Sequence, residues 1–174
     1  MKGIKIPLYT VKLARERVVT FPAAVFEDIS AAAEFFFRLI GSADREHIAV
    51  LFLDEACVPT GASIVGIGTV ATVKVHAREI FKAAILASAD SMIIAHNHVD
   101  APFPSPDDLR ATRSLVYASK QIGIRIRDHL IISPSGACVS MQDLGMLEEE
   151  KEAGGNSNNP PGIDRQFPRN RFPA

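Results

Sequence analysis

Two apolar runs constrain this chain most: HIAVLFL at 47–53 and SMIIAH at 91–96. Each has strand length and hardly a polar residue before its end, which predicts central strands covered on both faces. Such strands need helices to cover them, and the flanking sequence supplies three. Residues 30–40 predict a helix with Ala33, Phe36, Phe37 and Ile40 as its buried stripe, ended by Gly41-Ser42. Residues 77–87 predict a second, with Ile80, Phe81, Ala84 and Ile85 inward. Residues 106–122 predict the longest, with Leu109, Thr112, Val116 and Ile122 inward and Gly123 suited to the left-handed position past its end. Residues 61–70 are strand-like but glycine-rich, which predicts a bulge. Residues 124–132 and 138–141 predict two further strands. Residues 4–20 predict two short strands around a turn, the first at an edge because of Pro7. The whole predicts an α/β fold, a mixed sheet with helices on its faces.

Composition bounds what such a fold can be used for. Of 174 residues, 47% are hydrophobic, enough for a core, and the formal net charge of -1 gives no electrostatic support for gripping nucleic acid. Cys57 and Cys138 form no CxxC pair, so a four-cysteine zinc knuckle is excluded, and both are expected to be small buried residues. No run has the length of a signal peptide or a membrane span, so the expectation is a cytoplasmic protein with no membrane partner. No internal repeat is visible. From Gly154 the sequence turns to Gly, Asn and Pro, too polar to order itself. The expected organisation is an N-terminal strand extension over 1–29, a domain over 30–150 and a disordered tail over 151–174.

Chemistry concentrates in IAHNHVDAPFPSPDD, residues 94–108. Two histidines two apart on an extended segment, His96 and His98, face the same side and can meet one ion. Ser105 precedes Pro106, a favoured first helical residue, so Ser105 is the expected N-cap and Asp108 falls in the first helical turn, turned back toward the histidines. Two His and one Asp leave a tetrahedral metal one open position for water, the pattern of a catalytic site. Activating that water needs a general base, and Glu46, just before HIAVLFL, stands at an end of the expected sheet. Each piece has a plainer explanation. Ser105-x-x-Asp108 is also a capping box, an isolated HxH is common, and Glu46 can be a solvated residue before a strand. Their joint occurrence carries the weight.

HNH followed by PSPDD resembles the JAMM signature of a distant glutamate, H-x-H, a loop and S-x-x-D. More narrowly, REHIAVLFLD (45–54), VHAREIFKAA (75–84), IIAHNH (93–98) and GIRIRDHLIIS (123–133) resemble the JAB domain of the RadC family. The resemblance implies a JAB/MPN, cytidine-deaminase-like fold holding one zinc ion, Zn2+, on His96, His98 and Asp108. It implies Glu46 as the catalytic glutamate and Ser105 as a residue that steadies the oxyanion. It implies cleavage of amide or isopeptide bonds in a peptide or protein substrate. The loop between His98 and Ser105 is one residue shorter than the family's and reads VDAPFP where the family begins Pro-Ser-Gly, which makes Asp107 the alternative ligand. A helix-hairpin-helix segment, often found ahead of this domain in RadC proteins, is not expected within the first 29 residues.

Other residues have two readings each. His76 opens a helix and either lies near the site or caps and packs. His129 follows Asp128 on a strand, so only one of the pair is expected to face the core; His129 either hydrogen-bonds a ligand histidine or is structural. His47 is expected to point away from Glu46. Arg125 and Arg127 share a strand face, for an acidic partner or for solvent. Two other functions compete with the hydrolase. One is a RadC-like protein associated with DNA repair and acting on or near nucleic acid, although the adjacent letters H-N-H lack the spread hairpin-and-helix arrangement of HNH nucleases. The other is a non-catalytic MPN module that binds partners only.

Overall fold

The structure is a computed structural model, described for residues 4, 6–22, 25–26, 28–68 and 76–148. Five strands form one mixed sheet: β1 (His47–Leu53), β2 (Pro59–Ile67), β3 (Ser91–Asn97), β4 (Arg125–Ile132) and β5 (Cys138–Ser140), in the order β2-β1-β3-β4-β5. Three helices complete it: α1 (Ile29–Ile40), α2 (Ala77–Leu86) and α3 (Pro106–Ile122). β1 is antiparallel to β2 and β3, β3 and β4 are parallel across α3, and β5 returns antiparallel to β4. The mixed sheet with helices on both faces is the architecture the apolar runs predict.

Alternation along each central strand divides the core. On β1 and β3, Ala49, Leu51, Leu53, Ile93 and Ala95 pack against Phe35, Phe36 and Ile40 of α1. Val50, Phe52, Met92 and Ile94 pack on the other face against Ile80, Phe81 and Ala84 of α2 and Leu115 of α3. By the same parity His96, two residues after Ile94, faces α3, which carries Asp108. Burying each large side chain contributes about 1.5–3 kcal/mol, so the layers that fix His96 against α3 are among the firmest of the fold.

Local signals set the helix limits. Asp28 caps α1 by accepting the Ser30 N–H at 2.9 Å. Gly123 ends α3 at φ 81°, its N–H returned to the Ser119 carbonyl. Several expectations differ from the structure. Ile85 and Ile122 are exposed, and beside the expected Thr112 α3 buries Leu115 and Ser119. Ile122 sits in the last turn, beside the exposed Gly123, where there is nothing left to cover. The strands expected over 4–20 do not form among the described residues, which stay exposed and outside the sheet. An alternating segment becomes a strand only against a partner, and none of the five takes it. Contact begins at Phe21, whose ring lies 5.6 Å from those of Phe26 and Phe35. Cys57 is buried, Cys138 half-buried, and both are free thiols. Residues 69 and 70 of the glycine-rich stretch and the tail over 151–174 lie outside the described residues. Among the described residues no helix is long and apolar enough to cross a membrane.

Candidate metal centre

The site lies where β3 runs out and α3 begins, at the carboxyl end of a strand, where α/β sheets commonly place ligands. His96 is buried near the end of β3 and His98 lies just past it, its N–H held by the Ile132 carbonyl at 2.9 Å. Ser105 caps α3 and Asp108 closes a reciprocal capping box: the Asp108 N–H donates to Ser105 Oγ at 3.2 Å, and the Ser105 N–H and hydroxyl both donate to Asp108 Oδ2, at 2.8 and 2.6 Å. The box and the site are one device, because the orientation that satisfies the helix start turns the carboxylate to the histidines. Asp108 Oδ1 lies 3.3 Å from His96 Nε2 and Oδ2 lies 3.4 Å from His98 Nε2. The shortened loop therefore still delivers Asp108. Asp107 is exposed and pairs with Arg110 instead.

Hydrogen bonds behind the site decide what the imidazoles present to it. The Asp108 carbonyl can only accept, so the Thr112 hydroxyl gives it its proton at 2.7 Å. Thr112 Oγ1 must then accept from His129 Nδ1–H, also at 2.7 Å. His129 Nε2 is left bare and accepts from His96 Nδ1–H at 2.8 Å. His98 Nδ1–H donates to the Ala101 carbonyl at 3.2 Å. Both site histidines are thereby Nδ1–H tautomers with their Nε2 lone pairs inward, 3.0 Å apart. Two lone pairs and a carboxylate converging on one point repel unless a cation lies among them. The chemistry of this donor set fits a metal ion: three ligand atoms of His96, His98 and Asp108 lie within 4.8 Å of one another.

A proton competes with a cation for the same lone pairs: burial alone would raise the Asp108 pKa, but hydrogen bonds donated by His96 and His98 when they are protonated at Nε2 overcome it and hold the carboxyl well below the usual range. The hydrogen bond to Asp108 raises His98 above its ordinary value, and the charge of Glu46 adds to the rise. Burial pushes His129 down to about 3, which keeps it neutral, as the relay requires.

The β1–β3 pairing ends at Ile48 opposite His96, and Glu46 lies two residues before that end, near enough for its charge to act on His98. Ser105 touches the site through Asp108. His76 is exposed and makes no side-chain cap to α2. The His47 ring bonds the Arg45 carbonyl at 2.9 Å. Asp128 and His129 are both buried, against expectation. The register between β3 and β4 shifts between Met92–Ile126 and Ile93–Asp128. This bulge at Arg127 reverses the alternation, so His129 faces α3 while Asp128 accepts from Ser140 Oγ and the Gln142 N–H. Two site residues carry no role in the sequence reading. Thr112 was legible only as packing, although it stands one helical turn after Asp108. Asn97 was legible only as the letter between two histidines.

The family model of the RadC-like JAB domain matches residues 26–146. The chain belongs to this family. Among curated proteins, the JAB domain here is similar to a UPF0758 protein of Syntrophomonas wolfei, 38% identical over 132 residues, which are 75% of this chain and 54% of that one. A UPF0758 protein of Desulforamulus reducens is 43% identical over 105 residues, 60% of this chain and 46% of its own. One of Methanococcoides burtonii is 36% identical over 104 residues, 59% of this chain and 45% of its own. The chain spans about half the length of the curated relatives it matches.

Proposed function

We propose that this chain is a zinc-dependent hydrolase of the JAMM metallopeptidase type, cleaving an amide or isopeptide bond in a peptide or protein. One observation carries the proposal: two imidazoles locked as Nδ1–H tautomers aim their Nε2 lone pairs at the place the Asp108 carboxylate faces. Two neutral imidazoles and one carboxylate suit zinc and leave a position open for water. Zinc bound there supplies an acidified water and a polarised carbonyl.

The chain's own residues do the remaining work. Glu46 takes a proton from the attacking water as its oxygen bonds the carbonyl carbon. The same carboxyl returns that proton to the nitrogen when the C–N bond breaks, leaving a carboxylic acid and an amine. Ser105 turns its hydroxyl proton from Asp108 Oδ2 to the carbonyl oxygen as that oxygen gains charge. His129 and Thr112 hold His96 in one tautomer and one orientation.

Replacement of Glu46 tests the proposal. A zinc-loaded Glu46→Gln protein is expected to keep its metal while cleavage of a panel of quenched peptides and lysine isopeptides falls by about 10²–10⁴-fold. Full activity in that variant would remove Glu46 from the role. Cleavage of DNA but of no peptide by the wild type would favour the nucleic-acid reading.

A further inference from the structure

We infer that Asn97 is a positioning residue that fixes the backbone on both sides of Glu46, so that the His96-Asn97-His98 triplet encodes ligand, clamp, ligand. The inference rests on the reading of Glu46 as the base. Alternation along β3 sends Asn97 to the face opposite the histidines. Its side chain is fully buried, and its amide takes up the pairing with β1 where the backbone register stops. Asn97 Oδ1 accepts the His47 N–H at 2.7 Å, and Asn97 Nδ2 donates to the Arg45 carbonyl at 3.0 Å. The peptide groups flanking Glu46 are thus held by one side chain, while the Gly68 N–H holds the Glu46 carbonyl itself at 2.8 Å.

Few side chains can do this. The clamp needs an acceptor and a donor two bonds beyond Cβ. Aspartate lacks the donor, serine lacks the reach for both bonds, and glutamine is one methylene too long. The clamp is also separate from the metal ligands, whose Nδ1 atoms are held by His129 and by the Ala101 carbonyl. Loss of Asn97 therefore misplaces Glu46 while the ligand set stays. A displacement of about 1 Å in a reacting group can cost on the order of 100-fold.

A double-mutant cycle on the zinc-loaded full chain tests this with acetohydroxamic acid as the probe. That molecule chelates zinc and passes its hydroxyl proton to a neighbouring base, so its affinity reads the placement of Glu46 without a known substrate. The expected result is one zinc per chain in Asn97→Ala, faster exchange of the His47 amide, and probe binding weakened about 10–100-fold. In the Glu46→Gln background Asn97→Ala should weaken binding no further. Unchanged binding in Asn97→Ala, a loss that adds in full to that of Glu46→Gln, or a loss of zinc would each overturn the inference. If Asn97→Ala fails to fold, Asn97→Asp carries the same cycle, because it keeps the shape and the acceptor for His47 and sets a carboxyl oxygen where the donor to Arg45 stood. An unaffected Glu46→Gln protein would instead overturn the reading of Glu46, which separates the two failures.

Discussion

At the scale of single residues, the relay from the Asp108 carbonyl through Thr112 and His129 to His96 explains why the site presents lone pairs rather than N–H groups. Thr112→Val keeps the shape and removes both hydroxyl bonds. It is expected to lower zinc affinity about 10–100-fold, read by competition with a chromophoric chelator. Unchanged affinity would show that the relay does not set the tautomer. Asp128 gives a prediction in pH. Burial pushes its carboxyl up from 3.8 to about 6 despite the Ser140 and backbone hydrogen bonds. Between those values the folded protein holds a proton that the unfolded chain has released, so this group lowers stability as pH rises through about 4 to 6. Asp128→Asn removes the effect. Its stability should match the wild type near pH 4 and exceed it by about 3 kcal/mol at pH 7, measured by urea unfolding. His129 has the opposite sign, contributing stability above pH 6.5 that is lost as pH falls toward about 3, but it is common to both proteins and cancels in the comparison. Parallel pH profiles would contradict this assignment.

At the scale of elements, what the sequence makes legible follows its strongest periodicities. HIAVLFL and SMIIAH become β1 and β3 because runs this apolar have to be buried on both faces. Ser105-Pro106 and Gly123 bracket α3 because their backbone preferences are local. Effects that depend on a partner were not legible. The alternation over 4–20 meets no partner strand, and the inward rows of α2 and α3 turn away from Ile85 and Ile122 toward whatever the sheet offers. The bulge at Arg127 was invisible as well, since it is a mismatch between β3 and β4 rather than a property of either strand. That bulge brings His129 to the site, which is why its role could be stated beforehand only as an alternative. Gly123 provides a test at this scale. A Cβ there meets nothing within 4 Å, so at φ +81° the cost of Gly123→Ala is conformational alone. It should be about 1 kcal/mol, read from the denaturation midpoint at unchanged slope. A neutral substitution would contradict the left-handed end of α3.

At the scale of the whole molecule, three layers converge on one point. α1 backs the sheet, α2 and α3 cover its other face, and the exit of β3 meets the start of α3 where β1 enters. His96, His98 and Asp108 were legible from strand-end alternation, the Ser-Pro helix start and the family resemblance taken together, none of which suffices alone. Glu46 was legible as a candidate, but its neighbourhood with His98 comes from sheet register, which joins segments roughly fifty residues apart. The central claim is that this convergence is a metal site, so the metal content of the purified protein tests it most directly, with the wild type beside His96→Ala. The account predicts one zinc per wild-type chain and none in His96→Ala at unchanged secondary structure. A wild-type protein that takes up no metal when zinc is supplied would contradict it.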